Sequence, residues 1–377
     1  MNSPGQHGSS SGDDAAQRPE GTSMHAPHPR WRQRPPGSNW GDFGPDDQRG
    51  RMNWVDRGKV LQGIAEVREG LTFCLSLPLD YPGGTALNPK RQPPRRYATL
   101  RDGASAGKQS FCFSYADEDE RITDVVCDDA VLMSLQYSTQ WDSLAHIGSR
   151  FDADGDGRAE AVFYNGYRAG VELQAAREDT QAEPWARFPE PTAHALGIEN
   201  LAEHGAQGRG VMLDLHRHFG DAQRRVGYDD LMRVLEADAV EIERGDMVCV
   251  HTGFAQLLLD MRKQPRVDLL KRSCSALDGH DARLLDWISD SGLACLVADN
   301  PAVEAVHVNL QPGIRAPRLP LHEHCLFKNG IHLGELWYLT PLARWLAAHG
   351  RTRFLLTAPP LRLPGAAGSP ATPIATV

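Results

Sequence analysis

The sequence of 377 residues lacks the long apolar runs of membrane proteins and the basic excess of nucleic-acid-binding proteins. No stretch of about 18 apolar residues occurs, so no transmembrane helix is predicted. The N-terminus lacks a basic segment followed by an apolar one, so no secretory signal is predicted either. The formal net charge of −9 argues against nucleic acid as a partner, because phosphate contacts need clustered Lys and Arg.

The seven cysteines also lack a pattern, since their number is odd, their spacing is irregular and no C-x-x-C motif occurs. Disulfide frameworks use even numbers of regularly spaced cysteines. We therefore predict reduced thiols in a cytoplasmic protein, most of them buried as small hydrophobic side chains.

The chain divides by composition into a tail and a folded part. Residues 1–37 consist mostly of Gly, Ser, Pro and polar residues with no apolar periodicity. Such a segment buries too little surface to offset the entropy of ordering it, so it is predicted to be disordered. Residues 38–377 are predicted to form one domain, and the overall hydrophobic content of 41% is typical of globular proteins.

The folded part mixes strand and helix patterns. The stretches "LTFCLSLPL", "VCVHTGF", "ACLVADN" and "RFLLTAPPLRL" are short apolar runs, which predict buried strands. The stretches "DARLLDWISDSG" and "YLTPLARWLAAHG" predict helices that stop at Gly292 and Gly350. This mixture predicts an α/β domain with extensive loops.

Candidate chemistry begins in "STQWDSLAH", where Asp142 and His146 stand four residues apart. In a helix the two side chains would share one face, where they could bind a divalent metal. Alternatively, the Asp could orient the His as a proton-transfer group. A capped surface helix without chemistry is a further interpretation of the same spacing.

A second polar cluster lies in "PLHEHCLFKNGIHLGELW", which contains His322, His324, His332 and Glu335. If "HEHCLF" is a strand, His322 and His324 point to the same side, as a metal site or proton relay requires. A solvated His-rich loop explains the composition equally well. A third stretch, "FDADGDGRAE", resembles the start of a calcium loop, but Phe163 stands where a bidentate Glu is required. An acidic turn without tight Ca²⁺ binding is therefore predicted.

From Asn39 to Ala375 the sequence resembles the cyclase family, the metal-dependent hydrolases that include bacterial kynurenine formamidase and isatin hydrolase. The matching stretches are, in chain order, "NWGDFGPDDQRGRMNWV", "GRGVMLDL", "GDMVCVHTGF", "ADNPAVE", "LHEHCLFKNGIHLGELWYLTPLA" and "GSPATPIA". The resemblance implies the swivelling β/β/α fold of that family, with a short antiparallel sheet arrangement and flanking helices. It also implies a homodimer or homotetramer.

The identifying motif of the family, H-x-G-T-H-x-D-x-P-x-H, falls on "QYSTQWDSLAH". Asp142 and His146 match it, as does Thr139, but Gln136 and Gln140 replace the two metal-binding histidines. The resemblance implies that the Asp binds metal and that His146 is the catalytic acid or base.

The metal ligands implied by the resemblance are Gln136, Gln140, Asp142, His322 and Glu335. We expect one divalent ion per subunit, Mn²⁺ or Zn²⁺. The oxygen-rich set favours Mn²⁺ or Mg²⁺ relative to zinc, because a Gln carbonyl is a weaker zinc ligand than imidazole.

The resemblance implies hydrolysis of an amide C–N bond, in an N-formyl aryl amide or a cyclic amide, as in tryptophan catabolism. Hydrolysis of an ester or lactone by the same residues is one alternative. A metal-free ligand-binding protein is another, and the Gln136 and Gln140 replacements favour it. Trp141, Tyr164, Trp337 and His324 are predicted to contact a small-molecule substrate, although burial in the core explains the aromatic residues equally well.

Overall fold

A computed structural model describes residues 30–176, 190–306 and 316–377. Most of the predicted disordered tail, residues 1–29, lies outside the described residues. Its last part contacts the fold: the Arg30 guanidinium lies 4.0 Å from the ring centroid of Tyr167, and the Trp31 and Trp40 rings are 6.2 Å apart. Residues that pack against the folded part therefore begin before residue 37. The predicted domain boundary stays a prediction.

The described residues contain short strands, most of three to five residues. In chain order they are β1 (Thr72–Cys74), β2 (Arg95–Ala98), β3 (Phe111–Ser114), β4 (Val125–Cys127), β5 (Asp129–Leu132), β6 (Gln140–Asp142), β7 (Ser149–Phe151), β8 (Glu160–Val162), β9 (Leu173–Gln174), β10 (Thr192–Ala193), β11 (Gln207–Asp214), β12 (Arg224–Val226), β13 (Met247–His251), β14 (Ser275–Leu277), β15 (Cys295–Ala298), β16 (His332–Glu335), β17 (Arg353–Thr357), β18 (Gly368–Pro370) and β19 (Ile374–Thr376).

The helices of the described residues are also short. The α-helices are α1 (Arg57–Ala65), α2 (Glu199–His204), α3 (Leu215–Phe219), α4 (Tyr228–Ala237), α5 (Phe254–Asp260), α6 (Val267–Leu270), α7 (Ala282–Asp290), α8 (Pro320–His322) and α9 (Thr340–Ala348). A π-helix, Glu323–Lys328, continues α8. The 3₁₀ helices are Gly50–Trp54, Gly103–Ser105, Tyr115–Asp117 and Tyr164–Gly166. No helix among the described residues is long and apolar enough to cross a membrane.

Nine strands form one sheet in the order β1-β19-β17-β11-β13-β15-β16-β6-β18. Its centre, from β11 through β13 and β15 to β16, is parallel, and both flanks are antiparallel. The predicted α/β class is confirmed. The parallel centre differs from the short antiparallel arrangement that was expected, because helices on the connections return the chain to the same end of the sheet.

The central strands are buried on both faces, as their continuous apolar runs predict. In β13, Val248 and Val250 enter one hydrophobic cluster, while Met247 and Cys249 enter a second cluster on the opposite face. The two predicted helices are confirmed as α7 and α9. All seven cysteines are free. Four are buried, in line with the prediction, and three are exposed.

Helix α1 is fixed to the sheet by a buried ionic cluster around Asp246. The Asp246 carboxylate accepts hydrogen bonds from Arg209 Nε and Nη2, both at 2.8 Å, and from Lys59 Nζ at 3.0 Å. Glu243 also pairs with Arg209, at 3.0 Å, but its side chain is 46% exposed. Close approach of α1 depends on Gly63, where a Cβ would lie 2.7 Å from the Gly208 carbonyl oxygen.

We expect Asp246→Asn to lower the free energy of unfolding by about 3–5 kcal/mol, because it leaves the buried Arg209 and Lys59 with only the half-exposed Glu243 as a counter-charge. Urea denaturation measures this loss. Glu243→Gln is the matched control and should cost less than about 1 kcal/mol, because an exposed ion pair is screened by water. Equal losses for the two variants would contradict the role given to the buried cluster.

Candidate metal and hydrolytic site

The polar site is built on the antiparallel pairing of β6 with β16. In this register the Cα of Gln140 lies opposite Glu335 and that of Asp142 opposite Leu333. Side chains two apart on a strand share a face, so Gln140 and Asp142 point to the same side as Glu335. The helix that the Asp–His spacing allowed is not formed, because these residues pair as a strand.

His146 nevertheless approaches Asp142, through a turn rather than a helical face. The His146 amide donates to the Ser143 carbonyl at 3.0 Å, which bends the chain back after β6. His146 Nε2 lies 3.9 Å from Asp142 Oδ1. The His146 side chain is 22% exposed, whereas the Asp142 side chain is fully buried. The imidazole thus stands between the buried carboxylate and solvent, as a proton-transfer group requires.

The strand that was considered for "HEHCLF" is not formed, because the segment is helical in α8 and the π-helix. Pro320 suits the first turn of a helix, where its missing amide hydrogen leaves no bond unmade. As a result His322 and His324 point to different places. His324 Nε2 bonds Ser289 Oγ at 2.9 Å, away from Glu335.

Glu304, in the stretch "ADNPAVE", joins the site although no role was predicted for it. Its buried carboxylate accepts the backbone amides of Leu321 and His322 at 3.1 and 3.0 Å. It also bonds His322 Nδ1 at 2.7 Å. Glu304 therefore holds the start of the helix and orients the imidazole, leaving His322 Nε2 directed at Glu335 Oε1, 3.2 Å away.

Asp142, His322 and Glu335 converge in the interior, where one ligand atom from each lies within 4.8 Å of the others. Gln140 Nε2 donates to Asp142 Oδ1 at 3.2 Å and to Glu335 Oε2 at 3.0 Å. The buried atoms Gln140 Oε1 and Asp142 Oδ2 have no hydrogen-bond partner. Buried polar atoms are normally satisfied, so the orphan Asp142 Oδ2 beside converging ligands fits a divalent cation, whereas Gln140 presents its NH₂ group to the carboxylates.

The electrostatics of the site follow from burying two carboxylates together. Burial and the neighbouring Asp142 raise the pKa of Glu335, while His322 and Arg91 oppose this shift. Burial lowers the pKa of His322, but its bonds to Glu304 and Glu335 outweigh this effect and raise the pKa to about 10. Arg91 Nη1 lies 3.9 Å from Glu335 Oε2. No feature of the sequence indicated Arg91, because it lies in the Pro-rich loop before β2.

Gln136, the other residue in place of a family histidine, lies beside the site rather than among the three converging ligands. It lines a cavity of about 530 Å³ together with Ala145, Phe163 and Leu173. A Cβ on Gly368 would lie 2.6 Å from Gln136 Nε2. Gly368 pairs with Asp142, so Gln136 connects the cavity to the cluster of Asp142, His322 and Glu335. The metal role of Gln136 stays a prediction.

The residues predicted to contact substrate are buried in the core and do not line the cavity. The Trp141 and Trp337 rings pack at 82° with centroids 5.0 Å apart, and Trp337 Nε1 donates to the Gln140 carbonyl at 3.0 Å. Tyr164 is fully buried and bonds Asp47. Contact between substrate and any of these rings, or His324, stays a prediction.

In the acidic loop of Asp152, Asp154 and Asp156, backbone amides of the loop donate to the Asp152 carboxylate. Asp152 Oδ1 accepts the Gly155 and Asp156 amides at 2.8 and 3.1 Å, and Asp152 Oδ2 accepts the Gly157 amide at 2.9 Å. Asp152, Asp154 and Asp156 could gather around a cation. The predicted absence of tight Ca²⁺ binding stays a prediction.

Comparison with known proteins identifies the family of this chain. The family model named Cyclase matches residues 74–305. The chain belongs to the Cyclase family. A solved structure of a novel cyclase is 29% identical, covers 90% of this chain and 99% of its own, and superposes with a TM-score of 0.66. The cyclase fold predicted from the resemblance is therefore confirmed. No curated protein matches the chain.

Two isatin hydrolase A structures are more distant from this cyclase-family chain. The enzyme from Labrenzia aggregata, bound to benzyl benzoate, is 13% identical and covers 84% of this chain and 97% of its own, with a TM-score of 0.48. The enzyme from Ralstonia solanacearum is 14% identical and covers 84% of this chain and 95% of its own, also with a TM-score of 0.48.

The strand that carries Glu335 also generates a prediction about acid stability. His332 is fully buried, and burial, with a contribution from His204, lowers its pKa to about 3. Because the unfolded chain binds this proton below pH about 6.5 and the folded chain does not, stability should fall as the pH drops below 6.5. The loss should be about 1.4 kcal/mol per pH unit, measured by urea unfolding.

His332→Gln should unfold with a shallower dependence on pH between 7 and 5, whatever its stability at pH 7. Exposed His194→Gln is the control and should keep the dependence of the wild type. An unchanged slope in His332→Gln would contradict the burial of a neutral imidazole.

Proposed function

We propose that this protein is a metal-dependent hydrolase that cleaves an amide C–N bond in an N-formyl aryl amide or a cyclic amide. The observation that carries the proposal is the convergence of Asp142, His322 and Glu335 beside His146, with two buried oxygens that lack partners. Membership of the Cyclase family supports an enzymatic role, and solved structures of similar fold include isatin hydrolases.

Asp142, His322 and Glu335 would hold one divalent ion, with Gln140 adding its amide oxygen after a flip of the side chain. Such a flip exchanges the positions of Oε1 and Nε2, two atoms of nearly equal size. Oε1, which has no hydrogen-bond partner in the structure, would then face Asp142 and Glu335. When bound, the ion would lower the pKa of a water molecule toward neutrality. Glu304 would hold His322 through Nδ1, so that Nε2 would bind the metal after giving up the proton that it directs at Glu335.

His146 would move the protons of the reaction. Its position 3.9 Å from Asp142 Oδ1, with partial access to solvent, suits it to take a proton from the attacking water. His146 Nε2 would then give that proton to the nitrogen of the C–N bond that breaks. Without this proton the nitrogen cannot leave as a neutral amine. Arg91, beside Glu335, would bind the acyl oxygen as negative charge develops on it.

The cavity of about 530 Å³ supports an apolar substrate group. Ala145 on its wall directly precedes His146, and Phe163, Leu173 and Leu363 supply apolar surface. A cavity of this size accommodates a small aromatic ring. Ester or lactone hydrolysis needs the same residues, and it differs only in a leaving group that requires less help from a proton donor.

A metal-free binding protein is the second candidate, and a specific observation favours it. Gln140 Nε2 already donates to both Asp142 and Glu335, while His322 and Arg91 supply positive charge. This arrangement compensates the buried carboxylates without an ion. Metal content therefore separates the two candidates. Assembly as a homodimer or homotetramer and location in the cytoplasm are further proposals from the family resemblance.

Two substitutions should fail in different ways if the site is hydrolytic. Asp142→Asn should lower bound metal together with turnover of N-formyl aryl amides, because it removes a charged ligand. His146→Ala should keep the metal and lose a factor of about 10² to 10⁴ in kcat. Elemental analysis and steady-state kinetics on the same preparations measure both quantities.

Asp154→Asn, in the acidic loop, is the matched control for metal content, and His194→Ala is the control for loss of a histidine. Both should behave as the wild type. Wild-type protein that contains no metal and hydrolyses neither amides nor esters would favour the binding protein. His146→Ala would then alter only the melting temperature.

The identity of the metal generates a separate prediction. After chelation, Mn²⁺ should restore more activity than Zn²⁺, because carboxylate and amide oxygens dominate the ligand set. Gln136→His combined with Gln140→His should raise zinc affinity by rebuilding the imidazole ligands of the family. Activity that is indifferent to chelators would contradict both expectations.

A further inference from the structure

Two cysteines that the hydrolytic site does not use lie next to each other on the surface. Cys112 belongs to β3 and Cys127 to β4, and both side chains are exposed. Their sulfur atoms are 3.7 Å apart. The Cys112 backbone amide donates to Cys127 Sγ at 3.1 Å, which holds the second sulfur beside the first strand.

The two sulfurs lie close together because of an irregularity in strand pairing. Phe111 pairs with Cys127 and Phe113 with Val126, so Cys112 is an extra residue on β3. Its φ of 56° lies in the left-handed region, as in a β-bulge. At the bulge the Cys112 side chain departs from the regular alternation of the strand. It lies next to Cys127, the residue that pairs with Phe111.

Backbone hydrogen bonds on both sides hold the two strands in this register. On one side the Asp128 amide donates to the Ser110 carbonyl at 2.8 Å. On the other side the Tyr115 amide donates to the Asp124 carbonyl at 3.0 Å. The sulfurs need to approach by about 1.7 Å to reach disulfide bonding distance, and we expect rotation of the two side chains to supply this movement while the backbone hydrogen bonds stay in place.

The other five cysteines differ from this pair. Four are buried, out of reach of an oxidant in solution, and burial raises the pKa of each of their thiols. These four are Cys249, Cys274, Cys295 and Cys325. The hydrogen bond with Cys127 also raises the pKa of the Cys112 thiol, so exposure and not acidity distinguishes the pair. Cys74 is exposed, but it lies on β1 opposite Ile374, at the far edge of the main sheet.

We propose that Cys112 and Cys127 form a reversible intrachain disulfide, and that this pair is a thiol oxidation site of the protein. The oxidant is a small disulfide such as glutathione disulfide. One thiolate attacks it and releases a glutathione thiolate, giving a mixed disulfide. The second cysteine, after losing its proton, attacks the protein sulfur of that intermediate and releases the second glutathione thiolate. Two protein thiols are oxidised and one glutathione disulfide is reduced to two thiols.

The site is independent of the proposed hydrolase activity. It would fasten the two-stranded ribbon β3–β4 across the exposed turn that contains Arg121. In a reducing compartment both thiols stay free, in agreement with the predicted reduced state. A rise in the oxidised glutathione fraction closes the bond, and thioredoxin-type reductants or dithiothreitol reopen it.

The test equilibrates the full-length protein with mixtures of reduced and oxidised glutathione, blocks free thiols and digests with trypsin without reduction. Cleavage after Lys108, Arg121 and Arg150 separates the two cysteines onto peptides 109–121 and 122–150. We expect these peptides to appear linked, with the loss of two of the seven thiols. The linkage should increase with oxidised glutathione and disappear with dithiothreitol.

Cys112→Ser and Cys127→Ser should each abolish the linked peptide, whereas Cys74→Ser is the matched exposed control and should keep it. Should a serine variant fail to fold, the linked peptide of the wild type still decides. The proposal is overturned if both cysteines end as glutathione mixed disulfides without linkage. It is also overturned if the two peptides join only between chains, so that the linkage depends on protein concentration.

Discussion

The pairing of β6 with β16 is the contact on which the candidate site depends. It sets Gln140 opposite Glu335, and it leaves Asp142 two residues along the same face. On the other face, Trp141 and Trp337 pack edge to face and fill the core. A shift by one residue would exchange these faces, burying the polar set among aromatic rings. The tryptophans therefore fix the register that the polar side chains need.

The site concentrates negative charge in the buried interior, and the chain compensates it in several ways. Glu304 and Glu335 flank the His322 imidazole, and Arg91 approaches from the loop before β2. Gln140 donates to two carboxylates. The proposed metal-loaded form would differ from the metal-free arrangement mainly in where the Gln140 amide points and which atoms satisfy the carboxylates.

The proposed oxidation site lies in a different part of the chain, between β1 and β6. Both features arise from strand pairing rather than from local sequence. A regular register aligns Gln140 with Glu335, whereas an irregular register in β3 brings Cys112 beside Cys127. In each case residues far apart in the sequence meet because backbone hydrogen bonds fix which residues lie opposite each other.

The sequence by itself was sufficient for the fold class, the family and the residues of the motif. Apolar runs such as "VCVHTGF" predict buried strands because both faces of a parallel sheet must be covered. The local conformation around the site was predicted less well. Asp142 and His146 meet through a turn after a strand, and His322 lies on a helix that Pro320 and Glu304 start. Short polar segments of this kind have weak intrinsic preferences, so the pairing of β6 with β16 and the buried Glu304 carboxylate decided their conformation. Only the tertiary structure brought Glu304 to His322 and Arg91 to Glu335, because contacts between distant segments leave no periodic signal in the sequence.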